Sequence, residues 1–179
     1  VPLMAYQAHV TAYGEPVGQD AQLDAMQNTH RAISIFRGRN FVEPPATNRF
    51  ELAYGSAEMQ AWNTNTAAWE LRANGMGLAP LYGGQGFGNM FNNYTWTMDI
   101  HGNELYVGTM DSGYIAAEIL ADMNPLYPAL LGLSTNVYGA DLFRFPSSRE
   151  AAVPVDTRGV GNYSTYGIRT MVSTPDVLY

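Results

Sequence analysis

The sequence predicts an all-β chain of β-propeller type, and three observations carry that prediction. Charged residues make up only 14% of the chain while Gly and Pro number 18 and 10, a composition rich in turns and poor in the salted surface helices that Lys and Glu build. Short apolar runs alternate with period two and meet at Gly/Asn turns, which is the pattern of β-hairpins. The chain also repeats itself, at a spacing of tens of residues, with Gly-rich loops at the joints.

Composition sets the outer limits. With 179 residues the chain is long enough for one ordinary domain with a sizeable core, or for part of something larger. A hydrophobic fraction of 46%, with 12% aromatic, belongs to a folded protein rather than a disordered one. The net charge of −7 and only nine scattered basic residues exclude nucleic acid as a natural partner, because phosphate binding needs clustered Lys and Arg. There is no cysteine, hence no disulfide and no thiolate chemistry, which fits a bacterial exported or surface protein and leaves the cytoplasm open. No run approaches the roughly 20 apolar residues of a membrane span. The first residues lack the basic-then-apolar pattern of a signal peptide, so an exported form would already have shed its signal.

The repeat is read by laying residues 159–179 under residues 86–106. Gly86, Gly88, Asn89, Thr97, Met98, Leu105 and Tyr106 fall on Gly159, Gly161, Asn162, Thr170, Met171, Leu178 and Tyr179 without a gap. Such a window gives roughly one or two identities by chance. A fainter copy lies upstream, where Ile33 and Ile35 alternate, a turn falls at Gly38, and Phe41 and Val42 follow.

Taken in order, residues 1–30 match no pattern and form an N-terminal segment of unclear role. Residues 31–88 read as a first four-stranded unit: the hairpin just described, then FELAYG, a polar turn, and a short strand holding Trp69. Residues 94–161 read as a second. Its hairpin has Trp96, Met98 and Ile100 on one face, turns at His101 to Asn103, and returns through Leu105, Tyr106 and Val107; an insertion follows, then GADLFRF and a strand with Val153 and Val155. Within the insertion, residues 114–123 have helical composition behind an N-cap at Asp111 or Ser112, and Asn124 and Pro125 end it. Residues 166–179 read as the opening hairpin of a third blade, interrupted inside its second strand. Propellers close with about four to eight blades, so the expectation is that other segments or other chains supply the remainder.

The runs NYTWTMDIHGNELYVGTMD, GADLFRF and GVGNYSTYGIRTM resemble those of bacterial surface-type kelch-like β-propeller proteins. Blades of that group carry Trp-x-Met, then Asn-Gly-x-Leu-Tyr-Val-Gly-Thr, an Asp-Leu-x-Arg-Phe strand and a Gly-Phe-Gly-Asn loop. The resemblance covers residues 83–179 well and residues 31–69 loosely, and it departs where His101-Gly102-Asn103 replaces the simpler Asn-Gly turn. It implies a propeller in an extracellular, cell-surface or periplasmic location. It implies no settled activity, since propellers host binding, scaffolding and several chemistries.

Candidate site residues are few. Gly83, Gly84, Gly86 and Gly88 lack the Lys-Ser/Thr of a phosphate-binding loop and read as an inter-blade connection. His9, His30 and His101 match no metal-ligand spacing, and no cofactor is predicted; Asp111 offers one carboxylate to a Ca²⁺ site that would need several more oxygens. Asp99, Asp111, Glu118 and Asp141 include no pair that spacing selects for glycoside hydrolysis. Trp69 and Trp96 sit in periodic strand positions and read as core, whereas Trp62 reads as an exposed aromatic able to stack on a sugar. Arg169 occupies the repeat position held by Trp96, pointing either to an anionic ligand or to a bridged carboxylate. Asn93 and Asn162 head Asn-x-Ser/Thr sequons, ordinarily unmodified in a bacterial protein. The functional expectation is a non-catalytic module for protein or glycan recognition or structural assembly. The alternative is part of a carbohydrate-active hydrolase or lyase completed by further blades.

Overall fold

The computed structural model describes residues 2–39, 50–134 and 136–179. The chain divides into two compact units, Val1–Met90 and Phe91–Tyr179. Most of its regular structure is β, in several sheets, and the described residues include no closed barrel or propeller. The all-β expectation needs correcting, because helices open the chain.

The first unit begins with α1 (Pro2–Tyr13) and α2 (Gln19–Thr29). Both are rich in Ala, Gln, Leu and Met, good helix formers, and have no Gly in their interiors. Gly14, with φ +91, ends the first: its N–H reaches back to the Val10 carbonyl at 2.8 Å, the left-handed exit for which glycine is suited. Tyr6, His9 and Tyr13 share one face of α1 at helical spacing, and Ala25 of α2 is buried.

β1 (Ile35–Gly38) then pairs antiparallel with β2 (Phe50–Gly55). Leu52, Ala53 and Tyr54 of β2 are buried, as an apolar strand should be. Phe41 and Val42, expected in the first hairpin, lie outside the described residues. β3 (Glu58–Asn63) and β4 (Ala68–Ala73) form a separate two-stranded sheet, with Trp62 opposite Trp69. A single four-stranded sheet was expected over residues 31–88, and the reason it is divided is visible at β2. Leu81 and Tyr82 donate to the Leu52 and Ala53 carbonyls at 2.8 and 3.0 Å, and β5 (Gly83–Gly84) pairs parallel with Tyr54 and Gly55. The edge of β2 that β3 would need is already taken.

The second unit holds a four-stranded antiparallel meander, β6 (Asn92–His101), β7 (Glu104–Asp111), β8 (Leu142–Phe145) and β9 (Val153–Asp156), in chain order across the sheet. The β6–β7 loop has two residues, with glycine first, at Gly102, where φ is +62. Between β7 and β8 the insertion carries α3 (Gly113–Met123), ended at Asn124 as its sequence suggests, and the short α4 (Tyr127–Leu130). Ala116, Ala117 and Leu120 are the buried face of α3.

Residues 166–179 do not continue as a long hairpin. Met110 bridges to Gly167, and Ile168 N–H donates to the Thr109 carbonyl at 3.0 Å. Ile168 and Met171 cover Gly108 so closely that a Cβ there would lie 2.7 Å from Ile168. Beyond them Val172 and Tyr179 exchange backbone bonds of 2.9 Å around a tight Pro175-Asp176 turn. The expected hairpin is therefore short.

The repeat has a conformational counterpart. Gly86, Phe87 and Gly88 have φ of +65, +60 and +91; Gly159, Val160 and Gly161, 73 residues on, have +66, +55 and +86. In each copy the following Asn donates its N–H to the first glycine's carbonyl, at 3.1 Å (Asn89) and 3.2 Å (Asn162). Three successive left-handed residues are costly for anything but glycine. Phe87 packs against Tyr54 with centroids 4.6 Å apart and planes tilted by 54°, whereas Val160 is 64% exposed. A Cβ on Gly159 would collide with the Asn162 carbonyl, while one on Gly161 meets nothing within 4 Å. Gly159→Ala is therefore expected to destabilise the second unit by about 3 kcal/mol or more, and Gly161→Ala by about 1 kcal/mol, the conformational cost alone. Urea denaturation of the two variants measures the difference.

Candidate functional site

An open cleft of about 740 Å³ lies within the first unit, between the helical pair and the β3–β4 hairpin. Its wall is aromatic. His9 stacks on Trp69 with centroids 4.9 Å apart and planes at 27°, and meets Trp62 edge-on at 4.9 Å. Trp62 and Trp69, paired across the hairpin, make a T-shaped contact at 5.3 Å, and Tyr13 leans on Trp62 at 5.9 Å. Helical spacing puts His9 and Tyr13 one turn apart on α1, and the hairpin register brings the two indoles together. His9 is buried, both indoles are half-buried and Tyr13 is about half exposed.

Polar groups ring the wall. Glu15, Asp24, Gln27, Asn28 and Gln60 line the cleft. The Gln60 Oε1 atom is buried and has no hydrogen-bond partner among the described residues, a cost the unit carries beside the cleft. Arg31, outside the lining, ties α2 to β3, donating to the carbonyls of Asn28 (2.6 Å), His30 (2.7 Å) and Gln60 (2.6 Å). His30 is buried and its Nε2 donates to the Met90 carbonyl at 2.6 Å. Burial pushes the imidazoles of both His9 and His30 below their ordinary value.

Trp62, the aromatic expected to be exposed, thus belongs to a cleft wall. Trp69, expected in a core, stands beside it. The other expected residues lie in the second unit. Arg169 is exposed, with its guanidinium over the Trp96 ring at 5.7 Å. That indole is half-buried, lies edge-on to Tyr166 at 5.8 Å and is so close to Gly167 that a Cβ would clash with it. Asp111 is buried, and its Oδ1 accepts the Gly113 N–H at 2.6 Å, satisfying a donor at the start of α3. Ser112 is the N-cap residue, but its hydroxyl turns away to Asn93 Oδ1. Asn162 is exposed in a loop, where its Oδ1 accepts from the Ser164 hydroxyl at 2.8 Å. His101 shares a 3.1 Å hydrogen bond with Ser173 Oγ, whose backbone N–H donates to Asp99 Oδ2 at 2.8 Å. Among the described residues no group of three or more His, Asp or Glu side chains is placed to hold a metal ion.

Compared with protein-family models, curated proteins and solved structures, the chain matches none.

Asp141 belongs to a buried polar triangle. Asn92 Nδ2 donates to Asp141 Oδ2 at 2.6 Å, Thr109 Oγ1 donates to Asn92 Oδ1 at 2.7 Å, and the Asp141 N–H donates to Thr109 Oγ1 at 2.9 Å. The three residues are almost fully buried, so each bond replaces hydration that was given up. The triangle joins β6, β7 and the entry to β8, and its geometry is structural. Sequence reasoning weighed His9 only as a metal ligand and missed Tyr13 and Gln60; the available signal was the one-turn spacing of His9 and Tyr13 in a segment of good helix formers.

Thr109→Val removes one donor and one acceptor from a buried triangle and is expected to cost about 2–3 kcal/mol, measured by chemical denaturation. The histidines set a pH trend. Their folded-state values lie below the ordinary value of about 6.5, so their contribution is complete above that pH and is lost as pH falls through the folded values. Denaturation midpoints should drop on going from about pH 7.5 to pH 5, and His30→Gln should flatten that slope.

Proposed function

We propose that this chain is a non-catalytic recognition module of β-propeller type, working in an extracellular, cell-surface or periplasmic setting, and that it binds glycan in the aromatic cleft. The observation that carries the reading is the wall of Tyr13, Trp62 and Trp69 bordered by amide and carboxylate side chains. Sugar rings present a C–H face to aromatic rings and hydroxyls to planar polar groups, and this cleft offers both kinds of partner side by side. A volume of about 740 Å³ is of the size that small-ligand pockets use.

The propeller part of the reading rests on different ground. A four-stranded antiparallel meander is the unit a propeller repeats, and β6–β9 has that form. The same left-handed turn recurs 73 residues apart, in keeping with a repeated module. On this reading further blades, in other segments or other chains, are the structural partners.

Titration with a panel of oligosaccharides, followed by tryptophan emission and calorimetry, tests the function. Trp62→Ala and Tyr13→Ala should each weaken binding about tenfold, the worth of one stacked ring, with far-ultraviolet circular dichroism unchanged. Binding that survives both substitutions at full strength removes the cleft as the site. Release of reducing ends from a bound oligosaccharide would instead favour the carbohydrate-active enzyme.

A further inference from the structure

Resting on the glycan reading of the cleft, we infer that its preferred ligand is a glycan bearing free amino groups, a polymer of 2-amino-2-deoxyhexose, rather than a neutral or uronate-bearing one. The charge of the lining points this way. Two carboxylates, Glu15 and Asp24, border the cleft, and among the described residues no Arg or Lys lines it. Arg31 reaches the Gln60 carbonyl but directs its guanidinium to backbone oxygens, and all nine basic residues of the chain are arginines.

The aromatic geometry determines how a cation would be met. An aromatic cage holds an ammonium group between opposed rings, but here the rings touch one another, with centroids 5.3 Å apart for Trp62 and Trp69 and 5.9 Å for Tyr13 and Trp62. There is no gap between them for a cation. The wall is a surface to lie against, so a ligand needs a flat apolar face for the rings and a positive substituent at its margin for the carboxylates. An amino sugar has both on one ring. A uronate would instead bring its carboxylate towards Glu15 and Asp24, and like charges repel.

The experiment compares a β-1,4-linked glucosamine oligomer, its fully N-acetylated counterpart and an oligogalacturonate of equal length, at about pH 5.5, where the amine of a 2-amino sugar, made less basic than an alkyl amine by its neighbouring oxygens, is mostly protonated. The free-amine oligomer should bind about fivefold or more tighter than the acetylated one, the gain expected of exposed ion pairs. The galacturonate should be weakest, and the amine's advantage should shrink as salt is raised. The Glu15→Gln/Asp24→Asn double variant, altered only at exposed positions, should bring the amine down to the acetylated level and leave the acetylated oligomer unchanged. Equal binding of the amine and acetylated oligomers, still lost in Trp62→Ala, would overturn the charge preference and keep glycan recognition. Amine binding that depends on the two carboxylates but ignores Trp62→Ala would overturn the inference as non-specific attraction. If none of the three oligomers binds, both readings fall.

Discussion

The left-handed turn that recurs in both units is the constraint on which the rest of the backbone depends. Gly86 N–H donates to the Ile33 carbonyl at 2.7 Å, and Gly159 N–H donates to the Ala140 carbonyl at 3.0 Å. In each unit the turn is thereby tied to a segment that leads into the sheet. The turn reverses the chain over three residues in a region that side chains disfavour, which makes it a fixed joint rather than a loop of adjustable path. Where the chain goes before and after that joint is then largely decided. In the first unit the residues leading into it occupy the free edge of β2, and β3–β4 must form a hairpin of their own. In the second, the residues following it are carried back along Thr109–Asp111 and close over Gly108.

The separate hairpin is what creates the cleft. Had β3 and β4 joined β2 in one sheet, Trp62 and Trp69 would have neighbours on a continuous surface. Detached, they are covered in part by the face of α1 that carries His9 and Tyr13. That cover is partial: one imidazole stacks flat on Trp69, one phenol tilts against Trp62, and the remaining ring area faces the cleft. A buried neutral imidazole there does the work of an apolar spacer, at the cost of sensitivity to acid.

What the sequence disclosed follows from which forces are local. The β6–β7 hairpin was legible because alternation and a Gly-containing turn act within a few residues, and α3 was legible because Asn124 and Pro125 stop a run of good helix formers. FELAYG read as an apolar strand on composition alone, and Phe50–Gly55 is one. The opening helices were not legible as part of the design, since Tyr6, His9 and Tyr13 acquire meaning only when something packs on them. The division of residues 31–88 was hidden for a related reason: competition between residues 81–84 and β3 for one edge of β2 is a contest between distant segments, and each reads locally as a good strand. Of the site, Trp62 was legible as an available aromatic. Trp69 was not, because a strand position facing a cleft has the same periodicity as one facing a core. Arg169 was legible as an anomaly, and the structure gives it a local companion in Trp96.

The placement of the three tryptophans has an optical consequence. Trp62 and Trp69 belong to the first unit, in direct contact with each other and with His9, while Trp96 stands in the second beside Gly167 and Arg169. The near-ultraviolet dichroism of the first unit is therefore that of a coupled indole pair, and that of the second is the signal of a single indole. The two halves of the molecule carry distinguishable chromophores without any label.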